Sequence, residues 1–228
     1  DAQSLTINAT GALSATTARN IVDGTTTDVL KTVKVTGTDL VKVGTVTSTV
    51  METVNVTAAK ALTVGNIGAD SEKLTTVSLT STAGALAIGT IGKTSSTNVL
   101  DVTLNSKDAI TVTGGTIDST KIGNISATST AGAVTLGAIA STATQIGDIT
   151  VNAKGNVNVG LIGHATEVAT SVGTISMTST DGYIYAADIN TKDADGITVN
   201  MTAKTTIDKS DGSTRATVEN VGGNITAS

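Results

Sequence analysis

Short segments of the form apolar-x-apolar, each closed by Thr or Asn, recur along the chain at nearly constant spacing. Nine copies occur, at intervals of 21 to 28 residues with a mean of about 24. Within each copy the apolar residues alternate with period two and are mostly β-branched, which predicts a β-strand with one buried face. The copies are residues 5–8, 33–36, 54–57, 77–80, 102–105, 125–128, 149–152, 175–178 and 199–202.

A second kind of segment follows the first by several residues and contains a glycine in most copies. These segments also alternate with period two, and the glycine at a fixed place after each apolar pair indicates a corner. Thr, Val, Ile and Gly all disfavour helix, so 163–171 is the one segment we interpret as a possible helix. The second segments are residues 41–46, 62–68, 86–92, 134–139, 157–163 and 184–189, the last with Ala in place of Gly.

A unit of about 24 residues with two or three short strands cannot bury its own apolar side chains, but a stack of such units can. We therefore predict an all-β fold, a parallel β-solenoid with about 24 residues per coil and roughly nine coils. At about 4.8 Å per coil, the rod would be roughly 40 Å long. Residues 1–228 form one domain in this prediction, and 11–29 form an irregular loop or insertion. Because 221–228 resemble the start of another unit, we expect a longer parent polypeptide.

Lysine follows every second copy of the first segment, whereas the coils between carry Thr-Ser-Thr at 80–82, 128–130 and 178–180. The lysines are Lys60, Lys107, Lys154 and Lys204. Lysines in every coil would stack about 4.8 Å apart and repel one another, and skipping a coil doubles that distance. We therefore predict that these lysines share one face of the solenoid.

The composition narrows the classes of function. Tyr183 and Tyr185 are the only aromatic residues, and Phe, Trp, Cys and Pro are absent. Small aliphatic side chains pack densely in thin, regular layers, and a chain without Cys has no disulfide or Cys metal site. The net charge of −5 argues against binding to nucleic acid, which needs clustered Lys and Arg. No run approaches the roughly 20 apolar residues of a membrane-spanning helix, so we predict that the chain does not span a membrane.

Catalytic chemistry finds little support in the sequence. His164 is the only histidine, which leaves no choice of residues for a Ser/His/Asp site, and we interpret it as an exposed loop residue. Many parallel β-helices cleave polysaccharides, and two aspartate pairs near the C-terminal end would suit such a reaction. Sugar-cleaving sites usually add aromatic and arginine side chains, yet Arg19 and Arg215 lie in irregular regions. We predict that the protein is not an enzyme.

The same aspartates are the candidates for a cofactor, which would be calcium. Carboxylates that flank a loop are the hard oxygen ligands that Ca²⁺ prefers. The glycine-rich nonapeptide repeat of calcium-binding β-rolls is absent, and Asp-Gly is itself a good turn former, so we favour the turn interpretation. The candidate ligands are Asp193, Asp195, Asp208 and Asp211.

The segment Met-Glu-Thr-Val-Asn-Val-Thr at 51–57, within a long Thr-, Ala-, Val- and Gly-rich tract without Cys, resembles the surface-layer (S-layer) proteins of Gram-negative bacteria. These are similar to secreted proteins of the RTX type, and their bodies are often β-solenoids. The resemblance implies a lattice whose assembly is driven by Ca²⁺ and an anchor to lipopolysaccharide in another region of the protein.

We therefore expect a structural, self-assembling segment of an extracellular layer on the bacterial cell surface, without catalytic activity. Its partners would be copies of itself in a lattice or filament, and cell-surface polysaccharide through other regions. The alternative is the stalk or passenger solenoid of a large adhesin. A third class, a polysaccharide lyase, predicts an activity that Asp193→Ala or Asp195→Ala would abolish.

Overall fold

A computed structural model describes residues 3–13, 17–23, 28–113, 115–163, 171–187, 189–190, 198–204, 207–208 and 225–227. These residues form β-strands and contain no helix, and accordingly no helix that could cross a membrane. In chain order the strands are β1 Ser4–Ala9, β2 Arg19–Val22, β3 Thr32–Gly37, β4 Val41–Thr47, β5 Thr53–Ala58, β6 Leu62–Val64, β7 Thr76–Ser81, β8 Leu86–Ile88, β9 Ile91–Gly92, β10 Val99–Ser106, β11 Ile110–Val112, β12 Ile117–Asp118, β13 Lys121–Ser129, β14 Val134–Leu136, β15 Gln145–Ile146, β16 Ile149–Ala153, β17 Val157–Val159, β18 Ile162–Gly163, β19 Ser171–Val172, β20 Ile175–Ser179, β21 Ile184–Ala186, β22 Ile189–Asn190, β23 Val199–Ala203, β24 Ile207–Asp208 and β25 Ile225–Ala227.

The first sheet stacks one strand from each coil, and all its strand pairs are parallel. All nine repeat segments predicted from the sequence are strands of this sheet and pair in register. Short β15 and β19 extend it beside β13. The strand order is β1, β3, β5, β7, β10, β13, β16, β20, β23 and β25. One inward column consists of Ile7, Val35, Val56, Leu79, Leu104, Ala127, Val151, Met177 and Met201.

The second sheet contains the predicted second segments, and isoleucine bridges between coils form a third face. Strand β11, which the sequence analysis did not include, occupies its place in the second sheet between β8 and β14. The strand order of the second sheet is β2, β4, β6, β8, β11, β14, β17, β21 and β24. The third face consists of Val46, Ile67, Ile91, Ile117, Ile139, Ile162 and Ile189. Each regular coil therefore has three faces around one interior.

The interior is a dry stack of aliphatic side chains. The inward residues of the three faces are almost without solvent exposure, from Val33 in the first complete coil to Val199 in the last. Because each coil covers the apolar side chains of the coil before it, the repeat becomes stable only as a stack. The prediction of a parallel β-solenoid is confirmed.

The coil count is slightly lower than predicted. The fold makes about seven turns between β3 and β23, with about 24 residues per turn, where we expected roughly nine. The difference arises because nine stacked strands enclose only eight intervals, and the first is the longest and least regular. Within 11–29, predicted as a loop or insertion, residues 19–22 form β2, which pairs with β4.

The glycines that follow the strands of the second sheet form a column at one corner. A Cβ added at Gly65, Gly115 or Gly160 would lie 2.8 Å from a backbone carbon of the preceding coil. Real side chains do not tolerate such an approach, so the coils can stack this closely only where Cβ is missing. The column consists of Gly44, Gly65, Gly89, Gly115, Gly137 and Gly160.

Candidate functional site

The outward side chains of the first sheet form a polar surface, which we call the outer face. From β5 to β23 they are Thr, Ser and Asn at two positions per strand, between the buried residues. None of these side chains makes a hydrogen bond to any other residue that the structure describes. Their hydroxyl and amide groups are therefore available to water or to a partner. The outer face consists of Asn55, Thr57, Ser78, Thr80, Thr103, Asn105, Ser126, Thr128, Thr150, Asn152, Ser176, Thr178, Asn200 and Thr202.

The serines at the end of the first-sheet strands have a structural role. The Ser81 hydroxyl donates to the Lys60 carbonyl at 2.6 Å, and the Ser106 hydroxyl donates to the Gly84 carbonyl at 2.6 Å. Ser179 repeats this bond to Gly155 at 2.8 Å. Each bond joins one coil to the coil before it. The serine of the Thr-Ser-Thr motif thus satisfies a corner carbonyl and is not presented to solvent.

The lysines share one corner of the solenoid, after the first sheet, and their side chains are exposed. The prediction that they lie on the same face is confirmed. Lys60 Nζ lies 3.0 Å from a carboxylate oxygen of Asp39, and Lys204 Nζ lies 3.1 Å from one of Asp181. Each acid belongs to the preceding coil, so the alternation brings opposite charges together as well as separating like ones. Asp39 and Asp181 were not predicted from the sequence, because a repeat pattern does not show which acid a lysine contacts.

Side-chain oxygens also link the coils on the opposite border of the first sheet. Asp101 Oδ1 accepts the Asn124 amide hydrogen at an N–O distance of 2.6 Å. Asn124 Oδ1 accepts from the Asp148 amide at 3.1 Å, and Asp148 Oδ1 accepts from the Thr174 amide at 2.7 Å. The side chains of Asp101, Asn124 and Asp148 are all exposed. This ladder holds two carboxylates in fixed positions at the surface.

Comparison with protein-family models, curated proteins and solved structures finds no match to this chain. Its function is therefore argued from its own geometry.

The predicted calcium candidates are not brought together in the part of the chain that the structure describes. Asp193, Asp195 and Asp211 lie outside the described residues, as does His164. The backbone of Asp208 ends β24 and pairs with Tyr185. Among the described residues, no three His, Cys, Asp or Glu side chains form a metal-binding group. Calcium binding stays a prediction.

One carboxylate is buried in the described interior, and it has a structural role. Asp118 is 1% exposed. Its Oδ2 accepts the Ser141 hydroxyl, and its Oδ1 accepts the Thr142 hydroxyl at 2.9 Å and the Thr142 amide at 3.2 Å. A buried carboxylate needs such donors because desolvation is costly. All three come from the next coil, so Asp118 joins two coils.

The corner carboxyl of Asp39 gives a pH-dependent prediction. A hydrogen bond from Lys60, the Leu40 amide and the Lys60 charge lower the pKa of Asp39 below its usual 3.8. Because the pKa of Asp39 is lower in the folded state than in the unfolded state, ionised Asp39 stabilises the folded state at pH values above the unfolded pKa. This stabilisation is lost as the pH falls through the folded-state pKa. Lys60→Met should raise the pKa of Asp39 towards 3.8, as measured by NMR titration of the carboxyl carbon. Lys154→Met, at the same corner four coils away, should leave it unchanged; an equal shift would contradict the assignment.

Proposed function

We propose that this protein is a stiff structural rod within a self-assembling layer on the bacterial cell surface and has no catalytic activity. The observation that carries the proposal is the in-register stacking of aliphatic columns through about seven turns. Each coil bonds through its backbone to the coil before and the coil after. Bending the rod would require several parallel ladders to break at once, which suits a load-bearing element.

The outer face supports an extracellular role. It presents hydroxyl and amide groups without formal charge from β5 to β23. Such groups hydrate well, and they neither attract nor repel ions as a charged face would. A regular and neutral surface suits a repeating layer in contact with the medium.

Electron microscopy of the purified chain tests the proposal. We expect rods of roughly 40 Å for each chain, and ordered two-dimensional sheets as concentration rises. Isolated fibres that never form sheets would support the alternative of an adhesin stalk. Turnover of anionic polysaccharides would support the lyase class instead, and either result would overturn a layer-forming role.

The family resemblance adds a role for calcium in assembly, which we also propose. Sheet formation should increase with CaCl₂ and reverse with a chelator. Asp193→Asn with Asp195→Asn should remove the response to calcium, because neutral amides bind Ca²⁺ more weakly than carboxylates. Asp70→Asn is the matched control, since Asp70 is not one of the candidate ligands and accepts the Thr47 hydroxyl. Sheets that are indifferent to calcium would contradict this role.

A further inference from the structure

Two strands of the first sheet present the same outward row of side chains. Each row begins with Asp, continues with Thr and Asn, and ends with Lys. Strand β13 lies between the two strands, so the rows are about 9.6 Å apart along the rod. The rows are Asp101, Thr103 and Asn105 of β10 with Lys107 directly after it, and Thr150 and Asn152 of β16 with Asp148 directly before it and Lys154 directly after it.

The charges of these rows lie on opposite borders of the outer face. Asp101 and Asp148 form what we call the acidic border, and Lys107 and Lys154 form the basic border. Six residues of mostly extended chain separate the two borders, which is at most about 20 Å. Both borders therefore carry two charges with the same spacing along the rod, one every second coil.

These four charges lack ion-pair partners among the described residues. Lys60 and Lys204, at the same corner, are bound by acids of the preceding coil. Lys107 and Lys154 follow coils in which an alanine, Ala83 or Ala131, occupies the position of that acid, and their side chains are exposed. The coils with an unpaired lysine are also the coils with an aspartate at the other border.

We propose that a second copy of this chain lies beside the first, with its basic border against the acidic border of its neighbour. This rests on the proposed function and names the contact that would build the layer. Both charge pairs form at once only when the two rods are parallel and level, because the spacing is the same on each border. The contact uses different surfaces on the two copies, so it repeats in an open row. The outer faces then become one continuous surface.

The acidic border is preorganised for this contact. Asp101 Oδ1 and Asp148 Oδ1 accept backbone amides of the next coil, which fixes each carboxylate. Its second oxygen is available to a lysine of a neighbour. Three charges stand near the borders: Asp108 follows Lys107, Asp181 of the next coil donates its amide to the Lys154 carbonyl at 2.7 Å, and Lys121 precedes Asn124 of the acidic ladder. These neighbouring charges weaken the contacts of both rows.

Each exposed ion pair is weak and screened by salt. Association of two copies should therefore be modest and should decrease as ionic strength rises. A layer compensates for the weakness of each ion pair, because every rod makes the contact on both sides and the contacts act together. The outer face contributes no charge that would oppose this approach.

Sedimentation velocity of the full chain at low and high salt tests the contact, with electron microscopy of the same samples. Asp101→Asn with Asp148→Asn, and separately Lys107→Thr with Lys154→Thr, should each weaken association about tenfold at low salt. Asn124 and Thr130 already occupy the equivalent positions in the coil between, so these variants should fold normally. Lys34→Thr, which removes a charge from an outward position of β3, is the control and should associate like the natural chain.

A charge-swap experiment decides whether the two borders meet each other. Asp101→Lys with Asp148→Lys gives two basic borders, and Lys107→Glu with Lys154→Glu gives two acidic borders. Neither variant should associate alone, and an equal mixture should recover association. If the Asp101→Lys with Asp148→Lys variant does not fold, Asp101→Asn with Asp148→Asn replaces it. The Lys107→Glu with Lys154→Glu variant is then also mixed with the natural chain, and the two should associate only through the basic border of the natural chain.

A mixture that associates no better than its components, or association that is insensitive to salt, would overturn the contact. Sheets that form undiminished from the neutral variants would also overturn it, but would leave the proposed layer function intact. If the natural chain forms no sheets under any condition tested, both the contact and the layer function are wrong.

Discussion

Replacing Leu104 by alanine should lower the free energy of unfolding by about 2–5 kcal/mol. Leu104 is fully buried in the inward column, in register with Leu79 on one side and Ala127 on the other. Removing its isopropyl group leaves a cavity that the neighbours cannot fill, because the backbone ladders hold β7, β10 and β13 at fixed spacing. We therefore expect a value in the upper half of that range, measured by denaturant unfolding.

Thr103→Ala is the matched control, one residue away on the same strand. Its side chain points outward and makes no hydrogen bond to another described residue, so the change should stay within about 0.5 kcal/mol. In a stack where each coil contacts only its neighbours, a weak central coil should also separate unfolding into two steps. Equal losses for Leu104→Ala and Thr103→Ala would contradict the buried column.

The strands and their stacking could be predicted because both depend on residues close in sequence. Period-two alternation identifies a strand, and a constant interval of about 24 residues leaves little freedom in how copies stack. Strand β11 was missed because two residues separate Val112 from the corner glycine Gly115, whereas in the other copies with a glycine it follows the apolar pair directly. The third face was not predicted, since each coil contributes only one or two residues there, such as the single bridging residue Ile67 or the two-residue strand β9.

The charges show where sequence reasoning reaches its limit. The regular interval revealed Lys60 and its counterparts, but a repeat pattern cannot show which acid a lysine contacts. Asp39 binds Lys60 from the preceding coil, and Asp118 is buried by hydroxyl donors of the following coil. Such partners lie more than 20 residues apart and follow only from the register, which the structure supplies. The acidic and basic borders likewise follow from the register, because it places charges of different coils beside one another.

Gly160→Ala should be the most damaging single-methyl addition that we consider, with a loss of about 1–3 kcal/mol or more. The added Cβ would lie 2.8 Å from the Gly137 carbonyl carbon and 2.9 Å from the Ala138 nitrogen. These are backbone atoms of the preceding coil, so they cannot rotate away as a side chain would. The two coils must separate locally, which weakens the hydrogen bond from the Gly160 amide to the Leu136 carbonyl at 3.0 Å.

The sign of this effect distinguishes steric contact from chain entropy. Glycine-to-alanine changes usually stabilise a protein by about 0.4–1 kcal/mol where the backbone allows them, because the unfolded chain loses freedom. Gly11→Ala provides that baseline, since a Cβ at Gly11 would meet no atom within 4 Å. Thermal unfolding of both variants should show a lower Tm for Gly160→Ala and an unchanged or higher Tm for Gly11→Ala. If Gly160→Ala were equally tolerated, the coils could not stack as closely as the glycine column requires, and the rigid rod on which the proposed layer depends would lose its physical basis.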